Sequence, residues 1–339
     1  KLLAAALSAA MLSLGIYPAG FPVNVSADEA LTQAADAVTY KEKVDIGKLS
    51  PVDGVIKYQI TEDGNYYFTG SNNFNESYVP TSIVVAPGVR ADVYLDDVYI
   101  VNDDGKLPNC SGNTIIEGTD PIYISEYAQV SLHVLNRSSL EVGGNTSGIV
   151  VSKNAYLEVS DDLNLEIKTG SASTGIDVAG TFEMNGGILN VQGVGDAVGI
   201  GVCDVYADRD YSESNIIIND GTLNVATGYG PAIGVYAGVL RGYFGNNEDN
   251  IKYKFGNIQI HGGKVSVNTA TALPAIGAYS DSDTNVDSNC NGIIIDGGNL
   301  EVRARYTSAD NNITIYPGSS VTDGAVVIAG GNVYTFMYG

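Results

Sequence analysis

Apolar and polar residues alternate along most of the chain in short bursts, and one burst is written four times: FEMNGGILNV (182–191), IIINDGTLNV (216–225), IQIHGGKVSV (258–267) and IIIDGGNLEV (293–302). Each copy alternates, breaks at a glycine corner and alternates again, the pattern of two short strands separated by a tight bend. In register, Met184, Ile218, Ile260 and Ile295 share one inward position, and Leu189, Leu223, Val265 and Leu300 share another. Such a row can be covered only by the copies on either side of it, so the pattern predicts stacked coils. The second corner glycine is constant (Gly187, Gly221, Gly263, Gly298), as a backbone position at positive φ would require. The residue before the pair varies among Asn185, Asn219, His261 and Asp296, all able to join a polar ladder at the bend.

A second recurring line supplies a third strand: Gly148-Ile149-Val150-Val151, Gly175-Ile176-Asp177-Val178, Gly199-Ile200-Gly201-Val202, Ala232-Ile233-Gly234-Val235 and Ala275-Ile276-Gly277-Ala278. Three strands per turn and a shortest period in the mid-twenties favour an all-β, right-handed parallel β-helix over a propeller, whose blades need antiparallel hairpins. Roughly ten coils about 4.8 Å apart would make a rod on the order of 50 Å long. Regular coils are expected over 81–339. Residues 28–80 read as a polar leader and N-terminal cap containing an atypical first coil, with strands near Ile56–Tyr58 and Tyr66–Thr69. Lys1 and the apolar run Leu2 to Ile16 precede Val25-Ser26-Ala27, a small-residue cleavage pattern, so 1–27 is read as a signal peptide. The expectation is a protein secreted or displayed on a bacterial surface, with no transmembrane segment in the mature chain.

The corners are unequal. Between the Ile-x-Val strand and the next, early coils need only a few residues, whereas three successive later coils insert 203–215, 236–257 and 279–292. Stacking in register puts these loops side by side on one edge, the expected functional face. They combine acids with aromatics. Tyr206, Tyr211, Tyr236, Tyr243, Phe244, Tyr253 and Tyr279 are the candidate sugar-stacking rings. Asp208 and Asp210, with Asp281, Asp283, Asn285 and Asp287 at alternate positions, are candidate Ca2+ ligands, because Ca2+ prefers several oxygen donors on a flexible loop. Val286 stands where such loops usually place a glycine, and Gly292 where a bidentate Glu would be, so the match is partial.

A formal net charge of −22, from 39 Asp and Glu against 17 Lys and Arg, repels nucleic acid and excludes it as a partner class. Trp is absent and Tyr numbers 22, so any aromatic platform is built from Tyr and Phe. Cys110, Cys203 and Cys290 have neither a disulfide-scaffold count nor a metal-type spacing. Catalytic signals are weak. Asp96-Asp97 and Asp161-Asp162 are tandem acids that point to opposite faces of a strand, and no catalytic residue is assigned. Arg303 and Arg305 point outward together and are the nearest candidates for a lyase base, but away from the acidic loops.

With its GIxV strands, its I-x-I-N-G-G-x-L-x-V coils and corners such as DAVGIGV (196–202) and GPAIGV (230–235), the chain resembles secreted bacterial carbohydrate-binding proteins with a pectate-lyase-like right-handed β-helix, from about residue 80 onward. The resemblance implies adhesion to cellulose, pectin or a related polysaccharide, with Ca2+ near the coils and without catalysis. A Ca2+-dependent polysaccharide lyase and a structural stalk or protein adhesin are the alternatives.

Overall fold

The computed structural model describes residues 38–74, 77–102, 119–143, 146–160, 163–171, 173–203, 211–237, 252–270, 274–280, 287–305, 314–318 and 325–338. Among these residues the fold is all-β. The named strands pair in parallel except for one small antiparallel pair, Asn73–Phe74 with Ser77–Tyr78, and the one helical element is a 3-10 turn at Ile46–Lys48.

Each strand pairs with the equivalent strand one repeat later, which is how stacked coils arise from a chain whose apolar rows cannot close on themselves. Nine strands form the first face: Ile56–Ile60, Thr81–Val85, Ile122–Ile124, Ser147–Val151, Thr174–Val178, Val198–Cys203, Ile233–Ala237, Ile276–Ser280 and Ile315–Tyr316. The second and third faces belong to one larger sheet. In Arg90–Asn102, Thr181–Gly193 and Asn215–Thr227 a single 13-residue strand runs round the corner between them. In later coils the run is split, as in Lys252–Ile260 followed by Lys264–Thr269. The arrangement is compatible with a parallel β-helix.

The core is a set of side-chain columns. On the first face Ile83, Ile122, Ile149, Ile176, Ile200, Ile233 and Ile276 lie in successive register, each at most 1% exposed. The two rows expected from the repeat are also columns: Met184, Ile218, Ile260 and Ile295 on the second face, and Leu189, Leu223, Val265 and Leu300 on the third. Burial of each such side chain contributes roughly 1.5–3 kcal/mol. Because each member touches its counterparts above and below, removing one opens the column for both neighbours.

The corner between the second and third faces follows the glycine pattern. Gly187, Gly221, Gly263 and Gly298 have φ of +75°, +99°, +74° and +75°, and Gly331 repeats the turn at +76°. Space is as restrictive as the dihedral: a Cβ on Gly263 would lie 2.8 Å from the Gly221 carbonyl oxygen of the coil beneath. Beside these glycines runs the polar ladder. Asn219 donates to Asn185 Oδ1 at 2.8 Å, and His261 Nδ1 lies 2.6 Å from Asp296 Oδ1.

The two ends differ. At the first coil Val44, Ile46, Ile56 and Ile60 are buried. At the last, Ile328 occupies the same column as Ile295 yet is 55% exposed, because no further coil lies over it among the described residues.

Candidate functional site

Register decides which outward side chains meet. Positions alternate across a strand, so residues two apart point the same way about 6.6 Å apart, while neighbours in adjacent coils sit about 4.8 Å apart. On the outside of the second face this grid builds a polar row from Asn65, Asp92, Ser131, Glu158 and Glu183, one residue per coil. Two positions earlier lie Arg90, Gln129 and Tyr156. Two positions later lie Tyr67, Tyr94 and His133.

Between the first two rows the surface opens into a groove of about 280 Å³, lined by Asn65, Arg90, Asp92, Gln129, Ser131, Tyr156 and Glu158 over a floor that includes Gly64, Ala91 and Val130. Arg90 and Gln129 are exposed at its mouth, whereas Asn65, Asp92, Ser131, Tyr156 and Glu158 are half-buried. The backbone N–H of Arg90 donates to Asp63 Oδ1 at 2.8 Å, which fixes the start of that strand.

A hydrogen-bond chain stiffens the far wall. The Tyr156 hydroxyl donates to Glu183 Oε2 at 2.5 Å, Asn219 donates to Glu183 Oε1 at 2.8 Å, and Asn185 donates to Glu158 Oε1 at 2.9 Å. Burial pushes the Tyr156 phenol well above its ordinary value, and the hydrogen bond to Glu183 and that carboxylate's charge add to the effect. Tyr156 therefore stays protonated and acts as a donor across the physiological range. Both glutamates are held as acceptors on structural amides.

The aromatic row lies beyond the polar row and outside the groove's lining, with Tyr94 buried in it. Tyr94 and His133 stack with centroids 4.5 Å apart and planes 12° from parallel, while Tyr40 packs edge-on against Tyr94 at 5.1 Å and tilted against Tyr67 at 5.2 Å. Lys43 Nζ lies 4.9 Å from the Tyr40 ring centre and 5.3 Å from that of Tyr67. The hydroxyl of Tyr67 and the amide of Asn136 both donate to Asp96, which stands just before the bend where Asp97 takes a φ of +54°. Asp96 is thereby a structural acceptor.

The long-loop corner places its residues differently from the sequence expectation. Cys203, Tyr236 and Tyr279 lie in register where the three insertions leave the first face, and Asn215, Asn257 and Gly292 lie in register where they rejoin the second. Tyr236 and Tyr279 stack on each other at 5.7 Å and 16° and pack with Val198 and Cys203 in a small apolar cluster. Tyr211 is 4% exposed and belongs to the main core together with Phe255 and Cys290. Buried rings cannot serve as a solvent-facing sugar platform, which corrects the expectation for Tyr211 and Tyr236: both are packing residues that root the loops. The second and third loops also end as paired strand, with Tyr253 opposite Ser288 and Asp287 opposite Lys252. Tyr206, Asp208, Asp210, Tyr243, Phe244, Asp281, Asp283 and Asn285 lie outside the described residues. Among the described residues no group of three or more His, Cys, Asp or Glu is arranged to hold a metal ion.

Arg303 is paired with Glu301 and lies 5.6 Å from the Phe336 ring centre, on the third face and away from the groove. Cys203 and Cys290 are buried and not disulfide-bonded, and the Cys203 thiol donates to Asp196 O at 3.4 Å. No helix among the described residues is long and apolar enough to cross a membrane. Comparison with protein-family models, with curated protein sequences and with solved structures returned no match.

Proposed function

We propose that this chain is a secreted or surface-displayed right-handed parallel β-helix that binds a polysaccharide, without catalysis, in the groove on its second face. The observation that carries the reading is the groove's two-sided chemistry: hydrogen-bonding side chains line it, and the half-buried ring of Tyr156 stands in its wall. Pyranose sugars present the same division, with apolar C–H faces that pack on rings and equatorial hydroxyls that pair with amides, carboxylates and guanidinium. The rows also repeat once per coil at about 4.8 Å, comparable with the advance of one sugar along a glycan chain. An extended chain lying along the stack therefore meets equivalent partners at successive coils.

Charge selects the class of sugar. Arg90 is the one cation among the groove's lining residues, against Asp92 and Glu158, and the whole chain carries −22. A polyuronate is repelled by such a surface, while a neutral glucan is not. Neutral polysaccharide of the cellulose type is the favoured ligand, and Ca2+ assistance belongs to the loop acids and not to this groove. The test is retention on insoluble polysaccharides. The protein should bind a neutral glucan, and retention should fall when Arg90 and Gln129 are both replaced by alanine. Retention unaffected by that change would remove the groove from the account.

A further inference from the structure

Three successive turns carry the chain from the first face to the second, at 86–89, 125–128 and 152–155. Each is closed in the same way, by an N–H of the fourth residue donating to the carbonyl of the first: Val89 to Ala86 O at 3.2 Å, Ala128 to Ser125 O at 3.1 Å and Ala155 to Ser152 O at 2.9 Å. The turns stack, since Gln129 N–H donates to Val89 O and Tyr156 N–H to Ala128 O, both at 2.9 Å. The third position of each has positive φ, with Gly88 at +74°, Tyr127 at +63° and Asn154 at +61°. Glycine and asparagine suit such a position, one for want of a Cβ and the other for a short side chain that bonds locally. A tyrosine there is an outlier.

Tyr127 is thus disfavoured twice. Its backbone is strained, and its ring is 60% exposed. A Cβ built on Gly88 would meet nothing within 4 Å, so a side chain at this turn position stands clear of the coil. Neither packing nor the turn calls for a ring at Tyr127. A strained residue that the fold does not use points to a ligand.

Its place says which part of a ligand. Tyr127 precedes Gln129 by two residues, at most about 7 Å along the chain, and Gln129 stands exposed at the mouth of the groove. The ring lies outside the groove's lining, to one side of it. Because the coils on either side hold Gly88 and Asn154 at the same turn position, the ring belongs to no row. A linear chain running along the stack meets rows. A single ring to one side meets a sugar that branches from the unit at Gln129.

We propose that Tyr127 is the binding residue for a branch sugar, and that the glycan taken by this protein is a neutral β-glucan whose backbone carries single-sugar branches. The proposal rests on the groove reading above. Backbone sugars keep their pairing with Arg90 and Gln129, while the branch lays its C–H face on the Tyr127 ring.

Titration calorimetry of the full chain with a linear β-glucan oligosaccharide, and with the same oligosaccharide bearing one glucose branch, tests this. The wild type should bind the branched form roughly two- to tenfold more tightly, the range a single ring contact supplies. Tyr127→Asn should bind the two alike and should melt higher than the wild type, by about 2 °C, because asparagine fits the turn. Tyr127→Trp should keep the preference, and as the chain's only tryptophan it should change its emission with the branched oligosaccharide and not with the linear one. A wild type that binds both forms alike, with binding lost in Arg90→Ala with Gln129→Ala, keeps the groove and overturns the branch site. Tyr127→Asn that retains the preference overturns it too, and Tyr127→Asn that melts below the wild type assigns the ring to the turn instead. A wild type that binds neither form refutes the groove reading and this proposal with it.

Discussion

Tyr94 and His133, paired across adjacent coils, lie face to face with ring centroids 4.5 Å apart. Their stacking joins two successive strands on the outer side of the second face, where the buried apolar columns do none of the joining. His133→Ala should lower stability by about 0.5–1.5 kcal/mol, the value of a stacked ring pair, and His133→Phe should restore most of it. Thermal midpoints of the three proteins check this. Equal midpoints would mean that the stack holds nothing.

The columns make a sharper stability prediction. Ile260 is fully buried between Ile218 and Ile295, so Ile260→Ala should cost about 2–5 kcal/mol. Its strand neighbour Gln259 points outward, and Gln259→Ala should stay within about 0.5 kcal/mol. Denaturant unfolding separates the two, and similar costs would contradict the register.

Glycine corners differ in what surrounds them. Gly54 has a φ of +82° and open space where a Cβ would go, while Gly263 has a φ of +74° and backbone of the preceding coil within 2.8–3.1 Å. Gly54→Ala should therefore cost about 1 kcal/mol, the dihedral alone, and Gly263→Ala distinctly more. Unfolding free energies that rank the other way would show that the corners are not stacked.

Much of the fold was legible because the repeat lists its own register. Met184, Ile218, Ile260 and Ile295 align in the sequence by their distance from a constant glycine, and they align in space for the same reason. Phe255 and Cys290 were less legible. Both lie within expected loops, yet they are core residues, because the ends of those insertions continue the sheet as Lys252–Ile260 and Asp287–Ile295. The groove was not legible at all. Arg90, Gln129 and Tyr156 come from three coils separated by turns of unequal length, and only the pairing register brings them side by side. The usable signal was the outward half of each alternating strand, which carries no repeat motif. Loop tyrosines drew attention by composition, whereas a ring such as Tyr211 is judged by what it packs against.

Burial pushes the Cys290 thiol up to about 12. A thiol of that value is almost wholly protonated at neutral pH, so Cys290 should resist alkylation in the folded protein and react at an ordinary rate in denaturant. The shift also has a sign for stability. The unfolded thiol ionises near its ordinary value while the folded one does not, so folding loses stability as pH rises from that value toward 12. Site-resolved mass spectrometry of alkylated protein tests the first statement, and rapid labelling of folded Cys290 would refute it.

The expected Ca2+ ligands are the loop acids, and their role is open to a direct test. If Asp281, Asp283 and their neighbours gather on one edge, mutual repulsion is relieved by a bound cation, and Ca2+ should raise the melting temperature by mass action on the folded state. Melting with and without chelator, on the wild type and on Asp281→Ala with Asp283→Ala, tests this. Identical melts in all four conditions would leave the edge a solvated acidic surface.

The central claim is that the groove on the second face holds a neutral glycan. Isothermal titration of a soluble β-glucan oligosaccharide measures it directly, using the wild type, Arg90→Ala with Gln129→Ala, and Gln259→Ala as a control on the same face but in a later coil. The wild type and control should bind alike, and the double variant should bind at least tenfold more weakly, since a hydrogen bond to a charged group is worth about 1.5–3 kcal/mol. Equal affinity in all three proteins, or no binding of neutral glycan by the wild type, would contradict the account.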